Sequence, residues 1–242
     1  MLLAIDAGNS NIKVALFNDY EFRAQWRLTS SELDQLARMN PENIEAIVIA
    51  SVVPALNPTL MRISEDHFKL TPVFVDHTTP TGLKILYDSP AELGADRIAD
   101  AVAAVEKYGA PCIVVDFGTA TTFNAINAAE EFLGGAISPG LMTCSEALFA
   151  RAAKLPRVKL ERPAKVIGAS TTAAMQSGIY YGYAGLVDGV LEKMIAEMGE
   201  TPRVIATGGL AHAIAPASRY IDLTDDTLTL EGLRLVYERI KI

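Results

Sequence analysis

The stretch LLAIDAGNSNIKVALF, Leu2 to Phe17, decides the fold, because a second stretch, CIVVDFGTATTFNAI, Cys112 to Ile126, repeats its plan. In each, a run of apolar residues leads into an Asp, then a Gly, then a series of Asn, Ser or Thr. The pattern predicts a strand, an acidic turn and a returning strand, with the Gly letting the backbone turn tightly. Such a turn suits a nucleoside triphosphate and its metal. The carboxylate can hold a hydrated cation, while backbone N–H groups and hydroxyls approach phosphate oxygens without side-chain bulk. One Asp-x-Gly hairpin is a common turn with no chemistry. Two matched copies at corresponding places point instead to a duplicated phosphate-binding scaffold.

Composition narrows the choice of chemistry. The chain has 242 residues, half of them apolar, enough to bury a sizeable core as one or two domains. Lys and Arg number 21 against 29 Asp and Glu, a net charge of −8, which argues against a nucleic-acid or anionic-membrane surface. An anionic ligand must therefore be held locally, by metal ions and backbone N–H groups. Asp6 interrupts the first apolar run too early for a secretory signal, so export is not expected. The longest apolar runs, around Ile47 to Leu56, are strand-like and far short of the roughly 20 residues a membrane helix needs. Cys112 and Cys144 read as reduced core thiols, with no disulfide and no zinc site expected. His67, His77 and His212 lack ligand spacing and read as surface or loop residues.

Outward from the first hairpin, Glu21 to Leu28 predicts a third strand and Ser30 to Arg38 a helix begun by a Ser cap. Ala46 to Val53 is a strand, Pro54 to Phe68 a helix and Pro72 to Val75 a short strand, followed by the Pro80 to Ser89 connection. A parallel sheet is implied for this half. A helix from near Asp96 places Ile98, Val102 and Val105 on one face and stops at Gly109, before Pro111. Beyond the second hairpin, the glycines of GGAISPG, Gly134 to Gly140, allow another segment or a ligand to approach the backbone closely. Ser170 caps a long helix in which Gly178, Gly182, Gly185 and Gly189 recur at helical spacing, each costing about 1 kcal/mol relative to Ala. That cost suggests close packing, within one chain or between two, and Tyr180, Tyr181 and Tyr183 suit either.

The duplicated hairpins, with the strand-Gly-Gly run RVIATGGLA at Arg203 to Ala211, resemble the acetate and sugar kinase, Hsp70 and actin superfamily. The resemblance implies an α/β fold of duplicated actin-like, ribonuclease H-like units with mixed sheets flanked by helices, and the nucleotide in a cleft between them. Residues 1–110 would form the unit with the first phosphate loop. Residues 111–242 would form the second, with the other loop and the adenosine motif. Within that superfamily, YDSPAELGADRIADAVAA, Tyr87 to Ala104, is centred on GADR, Gly94 to Arg97. Taken with IDAGNSNIK, VDFGTATTF, GGAISPG, the AAKLP run at Ala152 to Pro156 and AMQSGIYYG at Ala174 to Gly182, it closely resembles type III pantothenate kinase over nearly the whole chain.

That resemblance implies ATP-dependent phosphorylation of pantothenate, the first committed step toward coenzyme A, by a cytoplasmic homodimer. It implies Asp96 as general base for the pantothenate hydroxyl. It also implies Tyr87, Gly94, Ala95, Asp96, Arg97 and Thr171 around pantothenate, Asp116 at a monovalent cation, K⁺ or NH4⁺, and Thr119 at ATP. By residue type alone, Asp96 reads first as the helix N-cap and Arg97 as a salt-bridge partner, and it is the resemblance that shifts Asp96 to the general base. Asp6 is assigned to Mg²⁺ and the ATP phosphates, with Ala7, Gly8, Asn9, Ser10, Asn11, Ile12 and Lys13 forming the first phosphate loop, although Lys13 could simply be solvated. Asp6, Asp96 and Asp116 on one cleft would repel each other, so metal dependence follows from charge as well. Two other readings keep the scaffold: a kinase or phosphatase with another acceptor, and a nucleotide-binding regulatory protein without turnover.

Overall fold

The computed structural model describes residues 1–38, 43–151 and 155–241, and its contacts divide into two compact units, Met1–Lys107 with Thr227–Ile242, and Tyr108–Asp226.

The first unit opens with β1 (Leu2–Ala7), β2 (Ile12–Asn18) and β3 (Glu21–Leu28), an antiparallel meander. After α1 (Asp34–Arg38) come β4 (Ala46–Ser51), α2 (Asn57–Asp66), β5 (Val73–Phe74), a short β6 (Lys84–Ile85) and α3 (Ala95–Tyr108). β4 and β5 continue the sheet in parallel, giving the order β3-β2-β1-β4-β5. The sheet is therefore mixed rather than parallel, because the hairpin turns the chain back before any crossover. Every residue of β1 is buried, as a central strand covered on both faces requires. Leu3, Ile5, Ile12, Val14, Ile47 and Ile49 form one core with Leu36 of α1 and Leu60 and Ile63 of α2. The turn before α1 begins one residue earlier than Ser30. Thr29 donates from its N–H to Glu32 Oε2 at 2.8 Å, closing a capping arrangement that Ser30 is not placed to make.

α3 is buried nearly all round, not on one face: Ala95, Arg97 and the run from Ile98 to Ala104 are all inside. Its alanines leave room for another helix, and that helix comes from the far end of the chain.

The second unit repeats the plan. β7 (Cys112–Phe117), β8 (Ala120–Ile126) and β9 (Glu131–Pro139) form an antiparallel meander, followed by α4 (Leu141–Arg151), α5 (Thr171–Met198), β10 (Arg203–Thr207), α6 (Ala211–Ile214) and β11 (Leu223–Thr224). β10 pairs β7 in parallel and β11 extends it, so within the unit the order is β11-β10-β7-β8-β9, strand for strand that of the first unit. Ile113, Val115, Phe117 and Phe123 pack against Tyr180, Tyr183, Val187 and Leu191 of α5. Ser170 caps α5 as expected, accepting from Ala173 N at 3.2 Å, and Gly199 ends it with a left-handed φ of 64°.

The last helix, α7 (Leu228–Ile240), packs on β1, β2 and β4 and so belongs to the first unit. The sequence division at residues 110 and 111 places this helix in the second unit; the structure returns it to the first. Gly232 permits the closest approach, since a Cβ there would overlap the carbonyl oxygen of Ala99 on α3 and stand 2.5 Å from its carbonyl carbon. The glycines of α5 behave oppositely. A Cβ at Gly178, Gly182, Gly185 or Gly189 would meet nothing within 4 Å, so among the described residues they make no close packing inside this chain.

Candidate active site

The first hairpin register pairs Ala7 with Ile12 and Asp6 with Lys13, leaving Gly8, Asn9, Ser10 and Asn11 as the turn. Gly8 N donates to Asn11 O at 3.1 Å, and Asn9, Ser10 and Asn11 are exposed, presenting amide and hydroxyl groups at the end of β1. Asp6 and Lys13 lie opposite each other on one face of the pair, and Lys13 Nζ stands 3.6 Å from Asp6 Oδ2 with both side chains largely buried. The structure thus pairs Lys13 with Asp6 rather than leaving it solvated.

The GADR segment opens α3. Ile98 N donates to Gly94 O at 3.2 Å, so Asp96 stands inside the first turn and not at the N-cap. Its Oδ1 accepts from Arg97 N at 2.7 Å. Burial pushes the Asp96 carboxyl above the usual carboxylate range, against the opposing pull of that hydrogen bond and of the positive charges of Arg97 and Lys13. A Cβ at Gly94 would stand 2.5 Å from Asp96 Oδ1 and 3.3 Å from Val52 Cγ1, so the missing side chain gives the carboxylate its place. Ala95 and Arg97 are buried, and the Arg97 guanidinium lies 5.5 Å from the centre of the Tyr87 ring. In this unit the structure therefore brings Asp96 within electrostatic reach of the first loop through Lys13, and Tyr87 beside Arg97.

In the second unit Asp116 is the next-to-last residue of β7, and Gly118 N donates to Ala120 O at 3.0 Å to close the turn. Thr119 is exposed at its tip, and its carbonyl is held by Gly140 N at 3.0 Å and the Thr143 hydroxyl at 2.9 Å. GGAISPG admits neighbouring backbone: a Cβ at Gly135 would overlap Phe123 O, and one at Gly140 would overlap Thr119 O. Beneath the loop, the buried Tyr183 hydroxyl bonds Thr121 Oγ1 at 2.6 Å and Pro139 O at 3.1 Å, tying α5 to both strands. Thr143 and Tyr183 carry no local signal, because their partners lie 24 and 62 residues away in the chain. Tyr183→Phe removes two hydrogen bonds without emptying the site. It is expected to cost about 1–2 kcal/mol, read as a lower denaturant midpoint at unchanged slope.

Thr171 is exposed as the first residue of α5. The first three residues of the AAKLP run, 152–154, lie outside the described residues. Cys112 is buried, and burial pushes its thiol up to about 12, but Cys144 is exposed on α4 rather than in the core. His212 pairs with Asp226 at 2.9 Å on the surface. Among the described residues no helix is long and apolar enough to cross a membrane.

The sequence profile of type III pantothenate kinase matches residues 2–193. The chain belongs to the type III pantothenate kinase family. A type III pantothenate kinase from Geobacter sulfurreducens is 48% identical over 252 residues, covering 99% of each chain. Another, from Pelobacter propionicus, is 49% identical with the same coverage. Among solved structures, a protein assigned to the Baf family of transcriptional activators from Campylobacter jejuni superposes with a TM-score of 0.63 at 21% identity, covering 99% of this chain and 100% of that one. At that identity the likeness speaks to fold alone. Members of the type III pantothenate kinase family thus share this chain's length, and its fold is the actin-like α/β arrangement in duplicate.

Proposed function

We propose that this chain transfers the γ-phosphoryl group of ATP to the hydroxyl of pantothenate, giving 4′-phosphopantothenate for coenzyme A synthesis. Relatedness along the whole chain supports the reaction. The observation that carries the mechanism is Asp96: a carboxylate at the start of a buried helix, with its pKa raised and Lys13 and Arg97 beside it. A raised pKa brings the base closer to the working pH, where it accepts the hydroxyl proton late in a loose transition state. Arg97, fixed against Tyr87, supplies positive charge to a substrate that carries a carboxylate, and Gly94, Ala95 and Thr171 complete the assigned contacts.

Ala7 to Lys13 are assigned to the phosphates, and Thr119 is assigned to ATP. Asp6 offers one carboxylate to Mg²⁺, which keeps several waters and neutralises phosphate charge when bound. Asp116 is assigned to the monovalent cation. A homodimer in the cytoplasm completes the reading. The open glycine face of α5 supports the dimer, as does the nearby exposure of Val166 and Ile167, the latter 88% accessible.

The test is ADP release by purified protein with Mg²⁺, ATP and pantothenate, in K⁺ or NH4⁺ and then in Na⁺. Turnover that requires pantothenate and the larger cation is the expected result. ATP binding with no turnover in any salt would favour the nucleotide-binding regulatory reading, and turnover only with another hydroxyl compound would reassign the acceptor.

A further inference from the structure

Thr207 ends β10 directly opposite Asp116 in the parallel register, so both side chains project from the same face of the sheet. Thr207 is 0% exposed, and among the described residues its Oγ1 has no hydrogen-bond partner. Buried hydroxyls are normally paired, and a valine would fill the same volume in a strand without burying a polar atom. Gly208 follows with φ +92°, where a Cβ would overlap Asp116 Oδ1 and lie 2.7 Å from both N and O of Phe117. The missing side chain at Gly208 thus gives the Asp116 carboxylate its place against the backbone, and Thr207 stands beside Asp116 in register on the neighbouring strand.

We propose that Thr207 supplies an oxygen, beside the carboxylate of Asp116, to the monovalent cation of this unit. The inference rests on the reading of Asp116 as the cation residue and deepens it. One carboxylate with a neutral hydroxyl is a low-charge, all-oxygen donor pair. It suits a large, weakly charged cation better than a small divalent ion, which demands more charge and stricter geometry. It also gives the otherwise unpaired hydroxyl a partner when the cation is bound.

The test uses the full chain and reads binding, not turnover. KCl is titrated at constant ionic strength against choline chloride, with and without Mg²⁺ and ADP, following the thermal midpoint, and thallium(I) binding is followed in parallel by its NMR signal. The native chain is expected to show saturable, K⁺-specific stabilisation. Thr207→Val should raise the half-saturating K⁺ concentration about tenfold or more, the scale of a bond to a charged group, while Thr207→Ser retains it and Asp116→Asn loses it. Thr207→Ala, lacking the same oxygen, serves if the valine variant does not fold. Native half-saturation in Thr207→Val together with loss in Asp116→Asn overturns the Thr207 inference and leaves Asp116 standing. Native binding in both variants, or no specific K⁺ effect in the native chain, overturns both. A change confined to ADP affinity assigns Thr207 to the nucleotide and likewise overturns the inference.

Discussion

Asp96→Asn is expected to lower turnover by about 10²–10⁴-fold, the range a positioned general base contributes, while stability at neutral pH rises. Asn keeps the shape and can still accept from Arg97 N, the bond seen at 2.7 Å. What it loses is proton acceptance and the burial cost of a charge. The sign follows from linkage. The folded carboxyl titrates above its ordinary 3.8, so between that value and the raised one the folded chain holds more protons than the unfolded chain. Stability of the native chain therefore falls as pH rises through this window and stays lower above it. The amide variant does not titrate, so its advantage should be absent below the window and fullest above it. Thermal unfolding from acid to pH 8, with ADP release measured on the same preparations, checks both halves. Near-normal turnover, or a variant less stable than the native chain at pH 8, would contradict the role given to Asp96.

Gly232→Ala should destabilise the chain by about 1–3 kcal/mol. The added methyl would meet the Ala99 carbonyl oxygen, with the carbonyl carbon at 2.5 Å and Cα at 3.0 Å. All three are backbone atoms of α3, so no rotamer change relieves the overlap and the two helices must separate. Ala99 lies one turn beyond Asp96 on the same helix, so activity should fall as well. Chemical denaturation gives the stability, and kcat measured where the variant is fully folded separates displacement of Asp96 from plain unfolding. An unchanged denaturation midpoint would show that α3 and α7 have slack that their contact does not suggest.

The glycines show where sequence reading stops. Gly178, Gly182, Gly185 and Gly189 advertise a packing face by their helical spacing, yet a Cβ at any of them meets open space within this chain. Gly232 is a lone glycine in a helix with nothing around it to draw notice, and it makes the tightest helix contact described here. Spacing reports that a face is small. Only the partner's position tells whether anything fills it.

What the sequence determined by itself was local and repeated: two apolar strands, each closed by Asp-x-Gly and a polar turn, the GADR start of α3, the Ser170 cap and the strand β10 with its glycine pair just beyond. These depend on short-range rules of backbone geometry, burial and hydrogen bonding, which neighbouring residues satisfy among themselves. Three further features were decided by the tertiary structure: the return of α7 to the first unit, the pairing of Lys13 with Asp6, and the meeting of Thr207 with Asp116. They join segments that the sequence order keeps apart or leaves undecided between water and a partner. The physical reason is the same in each case: a side chain's energy depends on what the fold packs against it, and packing partners are chosen by the whole chain.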